Sequence, residues 1–172
     1  MSRLQVATWK NASWTTLAGM SIIGICILFL GVETAVSDDL KEVAFPKLPK
    51  SAGQIDADAP KTMVKTPSGL QYRILRKGTG KKPAANQSVT VHYHGWLDSG
   101  KVFDSSYDRG ETISFGLNQV IKGWTEGMQL VGEGGMIELT IPANLGYGDR
   151  GAGNVIPGGA TLHFLVELKS VK

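Results

Sequence analysis

Cysteine is almost missing from this sequence. Cys26 is the only one in 172 residues, which excludes an intramolecular disulfide framework and a cysteine-rich zinc site. Histidine is scarce too. His92, His94 and His163 are the full set, so little material exists for a metal centre. Charged residues make up 19%, and 18 bases against 15 acids leave a net charge of only +3. No cluster of bases marks one face, so a nucleic-acid binder is not supported. The G-x-S-x-G elbow of a serine hydrolase and the phosphate-cradling P-loop are both absent. The apolar run Leu17–Val32 has 16 residues, short of the roughly 20 of a typical membrane span and slightly long for the core of a signal peptide.

Glycine is the abundant residue, with 22 copies, or about 13% against a usual ~7%. It is unevenly spread, and the chain divides into three regions. Residues 1–37 read as a targeting segment. Arg3 and Lys10 precede the uncharged run, and Glu33, Asp38 and Asp39 follow it, the charge order of a segment that exports what comes after it. Ala35-Val36-Ser37 places small residues at the −3 and −1 positions of a cleavage site. The segment is either a cleaved signal or an uncleaved anchor through residues 17–32. Ile25 before Cys26 does not suit a lipoprotein site, so Cys26 reads as one more small apolar residue. Residues 38–65 carry Pro46, Pro49 and Pro60, cancelling charges and no sustained periodicity. They read as a flexible linker, with a short helix around Asp39–Phe45 as an alternative.

Residues 66–172 hold 18 of the 22 glycines and read as the folded domain. Strand-like alternation appears at Gly69–Arg76, Ser88–Leu97, Lys101–Asp104, Ile113–Leu117, Met136–Ile141 and Thr161–Leu168. In Ser88–Leu97, Val89, Val91 and Tyr93 take one face and Thr90, His92, His94 and Trp96 the other. A single helix is expected at about Val120–Val131, where Val120, Trp124 and Met128 recur at i, i+4 and i+8. With Gly123 and Gly127 inside it, that helix cannot stand alone and needs a sheet over its apolar stripe. The expected fold is therefore α+β, an antiparallel sheet curled over one short helix.

His92 and His94 share a strand face at i, i+2, a spacing that suits a metal in principle and a pair of ordinary sheet positions more simply. His163 alternates with Leu162 and Phe164 and reads as structural. Gly132–Gly135 follows a helix and precedes a strand, the wrong order for phosphate binding. Aromatic residues sit near turns, and taken singly each is a core residue. The loop Gly146–Gly159 is different: it carries Tyr147, Val155 and Ile156 where a plain connector would be polar, so it can close over a pocket.

Three blocks, Val91–Ser106 (VHYHGWLDSGKVFDSS), Val120–Gly127 (VIKGWTEG) and Leu139–Leu168 (LTIPANLGYGDRGAGNVIPGGATLHFLVEL), resemble the FKBP-type peptidyl-prolyl cis-trans isomerases in order and spacing. Thr66–Gly80 is similar to bacterial exported members. The resemblance implies an antiparallel half-barrel of about five strands wrapped around the short helix, with a pocket between them. It implies pocket walls from Tyr93, Phe103, Asp104, Val120, Ile121, Trp124, Tyr147 and Phe164, with Trp124 as the floor. It further implies that the Ile121 N–H and the Tyr147 hydroxyl meet substrate carbonyls, that Arg109 pairs with Asp104 at the rim, and that Val155 and Ile156 form a covering flap. No cofactor or metal is implied.

The expected activity is rotation of X–Pro bonds in folding exported polypeptides, with macrolides as expected inhibitors. The expected location is periplasmic or otherwise extracytoplasmic, with membrane contact only through the N-terminal segment if it is retained. Departures from the family pattern bear on substrate preference and macrolide affinity: a short Gly116–Val120 stretch, Ile113 where many members have an aromatic, and Ala152 where a larger residue is common. Two rival readings are a non-catalytic FKBP-like chaperone or binding module and a purely structural envelope protein.

Overall fold

The computed structural model describes residues 41–172. The targeting segment expected at 1–37 lies outside the described residues. Among those described, no helix is long and apolar enough to cross a membrane.

Seven antiparallel strands form one sheet: β1 (Val64–Lys65), β2 (Gln71–Arg76), β3 (Ser88–Leu97), β4 (Val102–Ser105), β5 (Ile113–Gly116), β6 (Met136–Ile141) and β7 (Leu162–Val171). Their order is β1-β2-β6-β7-β3-β4, with β5 also on β3. The sheet is open, since β1 and β4 end it and do not pair. Two strands beyond the expected five or so arise at its margins. The two-residue β1 adds one edge. The ten-residue β3 is long enough to hold two partners on its outer side, β5 along Ser88–Val91 and β4 along His94–Trp96.

The described residues include two α-helices, α1 (Ser106–Arg109) and α2 (Lys122–Met128), besides three short 3-10 turns. Helix α2 is shorter than the expected Val120–Val131. Val120 and Ile121 stay extended, with ψ of 175° and 149°, so the helix begins only at Lys122. Its stripe is buried as the spacing predicts, with Trp124 and Met128 in the main core. That core lies on the concave face and includes Leu70, Val89, Val91, Ile137, Leu139 and Val166. Gly123 and Gly127 let the helix touch β6 closely, since an added Cβ would lie 2.5 Å from Ile141 Cγ2 and 2.6 Å from Leu139 Cδ2 respectively.

The convex face is covered as well. A linker was expected up to residue 65, but residues 41–63 form an extended strap against that face, without a helix. Leu48, Ala52 and Ile55 of the strap pack with Leu75, Met136, Leu165 and Trp96 in a second apolar cluster. The strap is also gripped through its backbone. Arg73, 1% exposed, donates Nη1 to the carbonyls of Val43 and Lys61, at 2.7 and 3.1 Å, and Nη2 to that of Ala44, at 2.7 Å. Its Nε donates to Glu138 on β6 at 2.6 Å. A buried guanidinium is tolerable only when its donors and charge are matched, and here the strap supplies most of the acceptors.

Burial pushes the Glu138 carboxyl above its ordinary pKa even though Arg73 draws it down. Arg73→Ala leaves that carboxylate buried and unpaired. The expected loss at neutral pH is roughly 3–5 kcal/mol of folding stability. A raised carboxyl pKa makes the charged form the costly one, so the loss is present above that pKa and shrinks as pH falls through it. Denaturant melts of the variant and parent at about pH 7 and about pH 4 check the size and the direction, and an equal loss at both would contradict it.

Candidate active site

The concave face encloses a cavity of about 690 Å³ between α2, the sheet and the loop after β6. Trp124 reaches it from α2 and is 5% exposed. Three rings meet the indole edge-on: Tyr93 at 5.6 Å and 85°, Phe115 at 5.3 Å and 65°, and Phe164 at 5.2 Å and 88°. Phe103 stands edge-on to Phe164 at 5.4 Å. Such edge-to-face packing fixes the rings in place and gives the cavity rigid apolar walls. Gly95 makes room for two of them. It lies on β3 opposite both rings, and an added Cβ would be 2.7 Å from Phe103 and 2.8 Å from Phe164.

Asp104 is the single carboxylate in the lining. The Tyr93 hydroxyl donates to its Oδ2. Arg109 Nη1 donates to its Oδ1 at 2.5 Å, while Nη2 donates to the Tyr93 oxygen at 3.0 Å. The three groups therefore satisfy one another. Burial alone would raise the Asp104 carboxyl pKa, but the bonds from Tyr93 and Arg109 outweigh it and hold it below the usual carboxylate range. Burial and the same carboxylate push the Tyr93 phenol up. The Tyr93 proton is committed to Asp104, so this hydroxyl holds the carboxylate in place and is not a free donor.

The opposite wall is the loop from Tyr147 to Gly159. Ala152 and Ile156 exchange backbone bonds at 2.9 and 3.1 Å, and Gly159 N–H donates to the Gly148 carbonyl at 2.9 Å. The tight return needs Gly151, whose φ is +65° and whose missing Cβ leaves space for the Ile156 carbonyl. The turn buries Ile156 and leaves Val155 47% and Tyr147 43% exposed at the mouth. Val120 and Ile121 line the side next to α2. Ile121 is the residue before the helix, so its N–H lies outside the helical ladder.

The structure thus brings Tyr93, Phe103, Asp104, Val120, Ile121, Trp124, Tyr147, Val155, Ile156 and Phe164 around one cavity. Arg109 is not in the wall but braces it. Ile113, Phe115, Gln119, Ala152 and Gly153 also line the cavity; Ile113, Ala152 and the Gly116–Val120 stretch were expected to bear on substrate preference, whereas Phe115 and Gly153 were not singled out. Phe115 had a signal: Ile113, Phe115 and Leu117 alternate in the sequence, and Phe115 and Leu117 pack into the core. His92 and His94 lie away from the cavity on the convex face, where His92 stacks on Tyr107 at 4.7 Å. Among the described residues no group of three or more His, Cys, Asp or Glu is placed to hold a metal ion. Gly132–Gly135 is a turn, with Gly134 at φ +83°.

A family model described as FKBP-type peptidyl-prolyl cis-trans isomerase matches residues 79–169. A probable FKBP-type peptidyl-prolyl cis-trans isomerase of Haemophilus influenzae is 53% identical over 106 residues, covering 62% of this chain and 44% of that protein. An FK506-binding protein of Neisseria meningitidis is 52% identical over 105 residues, covering 60% of this chain and 96% of that one. The crystal structure of FkpA from Escherichia coli superposes with a TM-score of 0.62 at 45% identity, over 64% of this chain and 51% of that one. The chain therefore spans less than half the length of the Haemophilus relative and nearly all of the Neisseria one.

Gly95→Ala is expected to force Phe103 and Phe164 off their positions and close part of the cavity. Overpacking of this kind costs about 1–3 kcal/mol. A thermal melt should show that loss together with a changed near-UV signal from the aromatic cluster. An unchanged near-UV spectrum would mean that the cavity walls do not depend on Gly95.

Proposed function

The chain belongs to the FKBP-type peptidyl-prolyl cis-trans isomerase family, and from that premise we propose that its folded domain speeds rotation about X–Pro peptide bonds. The observation that carries this reading is an aromatic-walled cavity whose single carboxylate is already neutralised by Arg109 and Tyr93. Rotation of a peptide bond faces a barrier of about 18–20 kcal/mol because the amide must lose its conjugation. No covalent bond is made or broken, so the absence of a nucleophile from the walls is no obstacle.

In this mechanism the proline ring rests on Trp124, between Tyr93, Phe103 and Phe164. A planar amide has more charge separation than a twisted one. An apolar cavity that excludes water therefore disfavours the planar form more, which is preferential binding of the transition state. The Ile121 N–H and the Tyr147 hydroxyl hold the flanking carbonyls. Asp104 accepts from the substrate backbone at the rim, and Val155 and Ile156 cover the bound segment. Substrates are proline-containing polypeptides in the course of folding, and macrolides that mimic a twisted prolyl amide are candidate inhibitors. Residues 1–37 direct the chain out of the cytoplasm, as a cleaved signal or as an anchor through 17–32.

A proline-limited assay on a tetrapeptide, with the whole chain, tests the activity. Trp124→Ala and Phe103→Ala should each lower kcat/KM by roughly tenfold or more, or about 1.4 kcal/mol of transition-state binding per factor of ten, with the fold retained by circular dichroism. No rate above the uncatalysed one in the parent would reject catalysis and leave a binding module.

The pH dependence follows from the rim. Asp104, lowered, stays ionised above the ordinary carboxylate range, and Tyr93, raised, keeps its proton above the ordinary phenol range. The rate should therefore be flat from about pH 5 to about pH 9. Stability contributed by ionised Asp104 is present above its unfolded-state pKa and is lost only as pH falls through the lower folded value. A rate that titrates near neutrality would contradict this assignment.

A further inference from the structure

Glu167 of β7 points away from the cavity, onto the convex face, and is 1% exposed. A buried carboxylate must be matched by donors, and it has four. Its Oε1 accepts from the Gly53 N–H of the strap at 2.7 Å and from the Tyr107 hydroxyl of α1 at 2.7 Å. Its Oε2 accepts from Arg76 Nη2 at 2.8 Å and Lys169 Nζ at 2.7 Å. One oxygen thus joins two segments distant in sequence. The strap passes close to Arg76 at this point, and a Cβ at position 53 would displace its guanidinium.

Helix α1 has four residues, too few to hold its own conformation. Its place is set by what its side chains grip. On one side, Tyr107 stacks on His92 and donates to Glu167. On the other, Ser106 Oγ accepts from the Tyr93 N–H at 2.8 Å and donates to the Tyr93 carbonyl at 3.2 Å. That hydroxyl stands in for a strand partner where β3 passes from β5 to β4. Arg109, at the end of the same turn, bonds both Asp104 and the Tyr93 hydroxyl. The backbone and the hydroxyl of Tyr93 are therefore both held by α1.

We propose that Glu167 and Tyr107 are positioning residues that couple the strap to the rim of the cavity: one carboxylate seats residue 53 and α1 together, and α1 in turn fixes Tyr93, Asp104 and Arg109. The consequence for catalysis rests on the prolyl isomerase reading, but the coupling itself does not. It makes residues 41–63, which precede the matched family region, part of the working site.

The test uses the whole chain with Tyr107→Phe, Glu167→Gln and the double variant. Hydrogen exchange at the Gly53 amide reads the strap. The NMR signals of the Trp124 indole N–H and Arg109 Nε–H read the cavity, and need no turnover. Kinetics on a proline tetrapeptide read the effect on substrate. Tyr107→Phe should leave Gly53 protected, shift the Arg109 signal and raise KM by roughly threefold to tenfold, with kcat little changed. Glu167→Gln should shift the same signals and also speed Gly53 exchange by about tenfold. The double variant should raise KM by less than the product of the two single effects, because Tyr107→Phe removes and Glu167→Gln weakens the same Tyr107–Glu167 bond. Asp58→Ala, which removes only the exposed pair with Lys77, should move none of these readouts.

The proposal is overturned if the Arg109 and Trp124 signals and the KM stay at parental values in both single variants. It is also overturned if Asp58→Ala shifts them equally, which would indicate general loosening. Should the parent itself prove inactive, the isomerase reading fails, and the NMR signals with the tetrapeptide dissociation constant in place of KM still decide the coupling.

Discussion

The close seating of α2 on β6 is the constraint on which the rest of the domain depends. A seven-residue helix with two glycines has no stability of its own, and each glycine weakens it by up to about 1 kcal/mol relative to alanine. The same glycines let Ile141 and Leu139 press against the helix backbone. Packing thus offsets a local defect of propensity. It also sets a depth. With the helix this close, Trp124 sits low in the curve of the sheet, and its indole becomes a floor shared by the rings of three strands.

The concave side of the fold was legible in the sequence because it obeys simple periods. Val89, Val91, Tyr93 and Leu97 alternate along β3 and are buried, and the i, i+4 spacing of Trp124 and Met128 marks the buried helix stripe. The convex side was not legible, for a physical reason. The strap is recognised mainly through its backbone: Arg73 takes three of its carbonyls and Glu167 one of its amides. Main-chain recognition leaves almost no trace in composition, so a proline-bearing polar stretch looked like a tether. Charged residues at alternate strand positions, Arg73 and Glu138 among them, are buried on that side. The cues were Leu75, Met136 and Leu165, apolar residues on that same face that are fully buried beneath the strap.

Helix α1 escaped notice for a related reason. Four residues carry no period, and its order comes from single bonds made by Ser105, Ser106 and Tyr107. The aromatic residues of the site pose a different problem. From the residues alone, Trp124 and Phe164 are simply core, and in the structure they are core, each 5% exposed. What separates a wall from an interior is the missing neighbour on one side, and that vacancy is created by the loop from Tyr147 to Ile156 standing off the sheet. Family resemblance pointed to these positions. It did not extend to Phe115, which reaches the cavity because β5 shares the outer side of β3 with β4.

The electrostatics of the rim follow from the same need for an apolar interior. An unpaired carboxylate beside six aromatic side chains would draw in water or a counter-ion, and the cavity would lose its apolar character. Placing Arg109 on one oxygen of Asp104 and the Tyr93 proton on the other cancels the charge locally and keeps both oxygens oriented. The guanidinium lies 5.7 Å from the Tyr93 ring centre, so it also covers the outer face of a wall residue. The Arg109 and Asp104 side chains are each 43% exposed, so the ion pair sits at the rim and stays hydrated there. The rim can therefore be polar enough to hold a peptide backbone at its edge and still leave the floor dry, and both conditions depend on α1 standing where Ser106 and Tyr107 hold it.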